Sequence, residues 1–252
     1  RKYDIINIDD PKKPFRVGVY ELDTPGHSIH DVWIEDGIAY SSNWADGIVA
    51  VDIGAKKHKE SDRSKSQFNP LLAKAGQGSP SNPVKLAEMK DPTGRNHAAF
   101  PYLNEETGQF YIIGGDENFP WGVQATKNKP SNPRGGYHFM NFTDPNNPRE
   151  DAIYEVPEAG SHNLWIYGDI LLAGNYQGGL RIVDISGELL GDIYKQGREI
   201  AHYLSYHKDG RIPNAPMVWG AQPYKDYIFF SDMNSGLYCV AYEDEQKTAS
   251  AE

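Results

Sequence analysis

One phrase recurs along the chain, and it limits the fold more than any other feature. Its clearest copy, GSHNLWIYGDILLAGNYQGGLRIVDIS, runs from Gly160 to Ser186. His162 to Tyr167 alternates apolar and polar residues, Gly168-Asp169 makes a turn, and Ile170 to Ala173 is a second apolar run. A turn at Asn175 to Gly179 then leads into Leu180 to Ile185, rich in β-branched residues. Short strands separated by Gly, Asn and Asp turns predict an antiparallel meander. Further copies run from His30 to Gly54 and from Trp219 to Tyr242. A stretched copy starts at His97, breaks off, and resumes as GGYHFMNFTDP at Gly135, and a half-copy opens the chain at Tyr3.

A single such sheet leaves apolar surface on both faces, so the copies must stack on one another. The expectation is an all-β β-propeller of four-stranded antiparallel blades, read as one domain over residues 1–252. The expected divisions are a part-blade at 1–26, blades at about 27–95, 96–160 and 161–218, and a part-blade at 219–246. Third strands fall at 3–8, 48–53, 137–142, 180–185 and 237–242. Because the chain starts inside one unit and ends inside another, the ring in this chain reads as incomplete. Residues before Arg1, carrying further blades and an export signal, are expected.

Two insertions interrupt the rhythm. Lys56 to Pro83 follows a third strand and contains NPLLAKAG, which suits a turn or two of helix. Asn118 to Arg134 joins a second strand to a third and carries Trp121 among polar and Pro-rich residues. The segment GELLGDIYKQGREIAHYL, from Gly187, suits either helix or strand.

The formal charge of −10 over 252 residues argues against nucleic acid, which needs a basic patch. No apolar run is long enough to span a membrane as a helix. The lone cysteine, Cys239, excludes an intrachain disulfide and is expected to fill core inside a strand. The Asn/Asp-rich turns lack the spacing of an EF-hand loop, and no G-x-S-x-G elbow is present. The paired glycines precede no helix, so they are hairpin residues and not phosphate cradles.

The phrases GLRIVDIS, GIVAVDIG and YDIINIDDPKKPFRVGVYELDTPGHSIHDVWIEDGIAY resemble LVIVD repeats. The resemblance covers nearly all of the chain outside the insertions. It implies a β-propeller of bacterial or archaeal cell surfaces, hence an extracytoplasmic location in the periplasm, on the outer-membrane surface or in the medium. Most members of that family have no assigned reaction. This chain departs from the repeat at Gly220, where the other units carry His30, His97 or His162.

In a propeller the first strand of each blade lines the central channel. The three histidines therefore should sit at one depth near one end of it. Loops on that face should carry His27, Trp44, Asp46, Asp116, Glu117, Trp121, Asn175, Asp232 and Asn234, and the candidate residues for binding a ligand or partner are Trp44, Asp46, Asp116, Glu117, Trp121, Asn175 and Trp219. Converging imidazoles could hold copper, zinc or iron with a position left open. Methanethiol-oxidase-type propellers are similar in placing histidines near a channel for copper. The alternative is that each ring bonds the backbone of a neighbouring blade and only fastens it. Two functions follow. The first is a binding or scaffold module for a protein partner or a surface assembly, with no catalytic residue. The second is a metal-dependent, copper-type oxidoreductase with its centre at the channel mouth.

Overall fold

Short β-branched and aromatic runs closed by tight turns become the strands of antiparallel meanders. The computed structural model describes residues 1–59, 68–118, 135–157 and 159–243. Trp121 and nearly all of the Asn118–Arg134 insertion lie outside the described residues. The protein is all-β and belongs to the β-propeller class, with small antiparallel sheets as its blades. Two compact units divide the chain: residues 1–117, 136–154 and 186–193 form one, and residues 118–135, 155–185 and 194–252 the other.

In the first unit, β1 (Lys2–Asn7) and β2 (Phe15–Glu21) form a two-stranded sheet. β3 (Asp31–Glu35), β4 (Ile38–Ser42) and β5 (Ile48–Asp52) follow. After the first insertion, with its helix α1 (Pro70–Lys74), β6 (Val84–Met89) completes that blade in the order β3-β4-β5-β6. The next blade is built from β7 (Asn96–Asn104), β8 (Gln109–Asp116), β9 (Tyr137–Asn141) and β10 (Arg149–Tyr154), again each paired with the next.

Register decides which face goes where. Trp33 opposes Tyr40, Tyr40 opposes Ala50, and Ala50 opposes Ala87. This ladder packs on Ala99, Phe110, Ile112 and Met140 of the next blade and on Leu71 and Leu72 of α1. The opposite face, with Ala39, Val49 and Val51, packs on Tyr20 and Leu22 of the β1–β2 hairpin. β4 and β5 are thus buried on both faces, which is why IVAVD reads as a continuous apolar run.

The first insertion is held at its base by one carboxylate. Asp52 ends β5, and its Oδ1 accepts from the N–H groups of Gly54 and Ala55. Its Oδ2 accepts from Gly76, Gln77 and Gly78 at 2.8–3.2 Å. Burial alone would raise the Asp52 pKa, but these backbone donors outweigh it and hold the carboxyl below its ordinary value. Gly78 is required for this approach, because a Cβ there would stand 2.2 Å from the Asp52 carbonyl oxygen. NPLLAKAG does form a short helix. The Asn69 side chain caps it by accepting from Leu71 N–H at 2.9 Å, and Pro70 opens its first turn.

In the second unit, β11 (Leu164–Tyr167), β12 (Ile170–Gly174) and β13 (Leu180–Asp184) form a meander. The segment after Ser186 is not helical. β14 (Gly191–Asp192) pairs parallel to β10 for two residues as an added edge in the first unit, the one departure from antiparallel pairing among the described strands. β15 (Glu199–Tyr203) then pairs with β13 as the fourth strand of its blade. β16 (Val218–Tyr224), β17 (Tyr227–Asp232) and β18 (Gly236–Val240) make a three-stranded sheet. Leu172, Leu180, Ile182, Val218 and Phe230 form the core between these two sheets, joined by Tyr238 and Val240 of β18.

The alternation along β18 corrects one expectation. Tyr238 and Val240 take the core face, so Cys239 takes the other and is exposed, beside Leu237 at 75% exposure. Successive side chains of a strand point to opposite faces, and the face that Cys239 shares with Leu237 is exposed, so the cysteine is not core filler. No helix among the described residues is long and apolar enough to cross a membrane.

Candidate functional site

The site grows from the first strands and from the turns between second and third strands. In the first unit, the SNWADG turn is closed by Asn43 N–H to the Gly47 carbonyl at 2.9 Å. Trp44 sits in it with a left-handed φ of 51°, which few large residues adopt. That conformation turns its N–H to the Asn96 carbonyl of the next blade at 2.9 Å, forming a bridge to β7. The GNYQGG turn of the second unit repeats the device. Tyr176 has φ 46°, and its N–H reaches the Val218 carbonyl of β16 at 2.9 Å.

The Trp44 clasp brings two of the expected histidines together. The rings of His30 and His97 lie 4.0 Å apart between centroids, and Trp44 packs edge-on against His30 at 4.7 Å. Glu117, just past the end of β8, completes the group. Its Oε2 is 3.9 Å from His30 Nε2 and 3.6 Å from His97 Nδ1. The donor atoms of His30, His97 and Glu117 all lie within 4.8 Å of one another. A tetrahedral ion with ligands at about 2.0–2.1 Å has ligand–ligand edges of roughly 3.4 Å. The two distances to Glu117 are therefore only a few tenths of an ångström too long. His97 is almost wholly buried, whereas the His30 and Glu117 side chains are 32% and 26% exposed. The group is anchored on one side and open on the other.

The other expected residues divide as follows. Asp46 pairs with His27, Oδ2 to Nδ1 at 2.9 Å, next to Trp44 in the same turn. Asp116 is buried and points away from Glu117 to His138, Oδ2 to Nε2 at 3.3 Å. His162 lies in the second unit, where its Nδ1 is 3.0 Å from the Trp219 carbonyl and its ring stacks on the Trp219 indole at 5.0 Å. Tyr176 meets it edge-on, as Trp44 meets His30. Asn175 is a buried turn residue whose N–H bonds the Gly179 carbonyl. Asp232 accepts from Ser205, Met217, Asn234 and Ser235, and so ties its own loop together.

Sequence reading placed Glu117 on the loop face but not as a third ligand beside two histidines. It missed Asp91 and His138 altogether. The available signal was a histidine inside YHFMN, where every other side chain of the strand bar the terminal Asn is apolar or aromatic. His138 is buried between Asp116 and Glu150. Burial pulls its pKa down, but the bonds to Asp116 and Glu150 prevail and raise it to about 10.

No family model matches the chain, and no curated protein matches it. Among solved structures, it is similar to the computationally designed Ika4 protein, with 11% identity over 88% of this chain and 96% of that one, and a TM-score of 0.49. The designed Ika8 protein is similar at 10% identity and TM-score 0.43, covering 90% of this chain and 62% of that one. Raptor of Chaetomium thermophilum is similar at 9% identity and TM-score 0.43, covering 90% of this chain and 18% of that one. Likenesses this loose carry no weight for function.

Proposed function

We propose that this chain is an extracytoplasmic binding propeller that engages its partner through a transition-metal ion held by His30, His97 and Glu117. The observation that carries the reading is the approach of two imidazoles and a carboxylate to within 4.8 Å on an open loop face. Two nitrogens and one oxygen suit zinc or copper, and three protein ligands leave a position for an outside donor. That donor would be a histidine or carboxylate of a partner protein. The likeness of the repeats to the LVIVD unit supports a cell-surface setting. The open position equally favours a second reading, a copper-type oxidoreductase.

The test is metal analysis of protein purified without chelators, followed by titration with Zn2+ or Cu2+. Binding at one equivalent, weakened in His97→Ala and Glu117→Gln, supports the site. Uptake of imidazole by the loaded protein then tests the open position. Oxygen consumption by the copper-loaded chain with a thiol, lost in His97→Ala, would favour the oxidoreductase. Failure of Zn2+ and Cu2+ to bind would end both readings.

A further inference from the structure

The buried cluster behind Glu117 has features that a set of chance acidic neighbours lacks. Asp91, Asp116 and His138 are all buried, and one donor atom of each lies within 4.8 Å of the others. Asp91 follows β6, Asp116 ends β8, and His138 is in β9, so three separate segments of the first unit converge here. Asp91 Oδ1 accepts from Thr93 N–H at 2.7 Å and from Gly94 N–H at 3.0 Å. Its Oδ2 is buried with no hydrogen-bond partner among the described residues, although the residue is only 6% exposed. A buried carboxylate oxygen left in this state is costly.

Thr93 adds a second imbalance. Its hydroxyl oxygen lies 2.7 Å from Asp91 Oδ1 and 2.8 Å from Asp116 Oδ1. One hydroxyl carries one proton and can donate to only one carboxylate at a time. The other close pair of oxygens needs a proton or a cation to offset it: the His138 ring meets Asp116, and Asp91 Oδ2 is left without a partner among the described residues.

The histidine is oriented for the same purpose. His138 Nδ1 lies 2.5 Å from Glu150 Oε1, while Nε2 faces Asp116 Oδ2 at 3.3 Å. Without a cation Nε2–H donates to Asp116. A cation at this place would displace that proton, while Glu150 keeps Nδ1–H and holds the ring with its Nε2 lone pair toward the two aspartates, as supporting carboxylates commonly hold metal-ligating histidines. The 3.3 Å separation also matches the edge of about 3.4 Å expected between two ligands of one small tetrahedral ion.

We propose that Asp91, Asp116 and His138 form a second, buried cation site for a small divalent ion of the zinc or manganese kind. Glu150 orients the imidazole, and Thr93 braces both aspartates. Imidazole suits zinc and carboxylates suit manganese, and this set offers both kinds of ligand. Calcium, which takes six to eight oxygens at longer range, does not fit so small and nitrogen-containing a set. This site shares no ligand with the exposed group at His30, His97 and Glu117.

The experiment uses the full chain carrying His97→Ala, which disables the exposed group. After dialysis against chelator, the protein is titrated with Zn2+, Mn2+ and Ca2+, and separately with Co2+ followed by visible absorption. We expect one equivalent of Zn2+ or Mn2+, little Ca2+, a Co2+ spectrum with d–d bands, and a rise in melting temperature on loading. Adding Asp91→Asn should lower affinity at least a hundredfold and remove the rise, and His138→Gln should do the same. The Co2+ spectrum of the His97→Ala chain needs no further variant, so misfolding of Asp91→Asn cannot mask the answer. No binding of Zn2+, Mn2+ or Co2+ by the His97→Ala chain would overturn the proposal. Binding unchanged by both Asp91→Asn and His138→Gln would overturn it as well.

Discussion

Asp116 and Glu117 are adjacent at the end of β8, yet their carboxylates serve different groups of residues. Asp116 Oδ2 faces His138 at 3.3 Å in the interior, and Glu117 Oε2 faces His97 at 3.6 Å on the open side. Successive residues of extended backbone point to opposite sides, so one peptide unit supplies both. The two carboxylates should therefore respond differently to neutralisation. Glu117→Gln should leave metal-free stability within about 0.5 kcal/mol of the parent, as at a partly exposed position. Asp116→Asn should cost about 3 kcal/mol, because His138 loses a buried partner. Urea denaturation of both variants in chelator measures the difference.

The carboxylate of Asp52 should make the first insertion sensitive to acid. Its pKa is lowered in the folded chain, so the unfolded chain binds its proton more readily. The stabilisation is full above the ordinary value of 3.8 and is lost as pH falls through the lower folded value. Protection of the Gly54, Ala55, Gly76, Gln77 and Gly78 amides against exchange, relative to the intrinsic rate at each pH, should fall together below about pH 4 in the parent protein. In Asp52→Asn these amides should exchange quickly at every pH, with a loss of about 3 kcal/mol in stability. Exchange that stays slow in the variant would show that the carboxylate is dispensable.

Gly78→Ala attacks the same clamp from the other side. The added Cβ would stand 2.2 Å from the Asp52 carbonyl oxygen and 2.6 Å from Cγ of its carboxylate, so backbone must move. A loss of at least about 2 kcal/mol is expected, and proteases should cut between residues 53 and 83 sooner than in the parent.

His162 provides a control for the metal readings. Its Nδ1 and ring face are already engaged by the carbonyl and indole of Trp219. Trp219→Ala should cost about 1 kcal/mol through the lost stacking. His162→Gln should leave the metal stoichiometry unchanged. Loss of metal in His162→Gln would point to a three-histidine site and against His30, His97 and Glu117.

Trp44 packs against His30 without offering a ligand atom. Trp44→Ala should weaken Zn2+ binding at the exposed group by about tenfold through a looser imidazole, as removal of supporting residues does elsewhere. Trp44→Phe should recover most of the loss. Isothermal titration of the two variants distinguishes support from ligation.

The blade rhythm was readable because strands and turns are local. GIVAVDIG and GLRIVDIS each became a third strand, and SNWADG and GNYQGG each became the turn before it. The meeting of His30 with His97 was readable in kind, since equivalent positions on neighbouring blades face one another. Glu117 as their partner was not, because the side to which it points depends on where β8 ends. Asp91 stands before Pro92 in a short polar stretch, and nothing local connects it to His138, 47 positions later. The exposure of Cys239 depends on which face of β18 is packed, Tyr238 and Val240 taking the core side, and strand pattern alone does not reveal that.

The clasp made by Trp44 on Asn96, and by Tyr176 on Val218, has a consequence for how the chain comes apart. Each turn belongs to one blade, but its left-handed residue satisfies backbone groups of the next. A blade excised by itself would keep its ladder and lose the partner that holds that residue in an unfavourable conformation. The smallest cooperative piece within each unit is therefore a pair of blades. Slow-exchanging amides on both sides of each clasp should open in the same event, as members of one foldon.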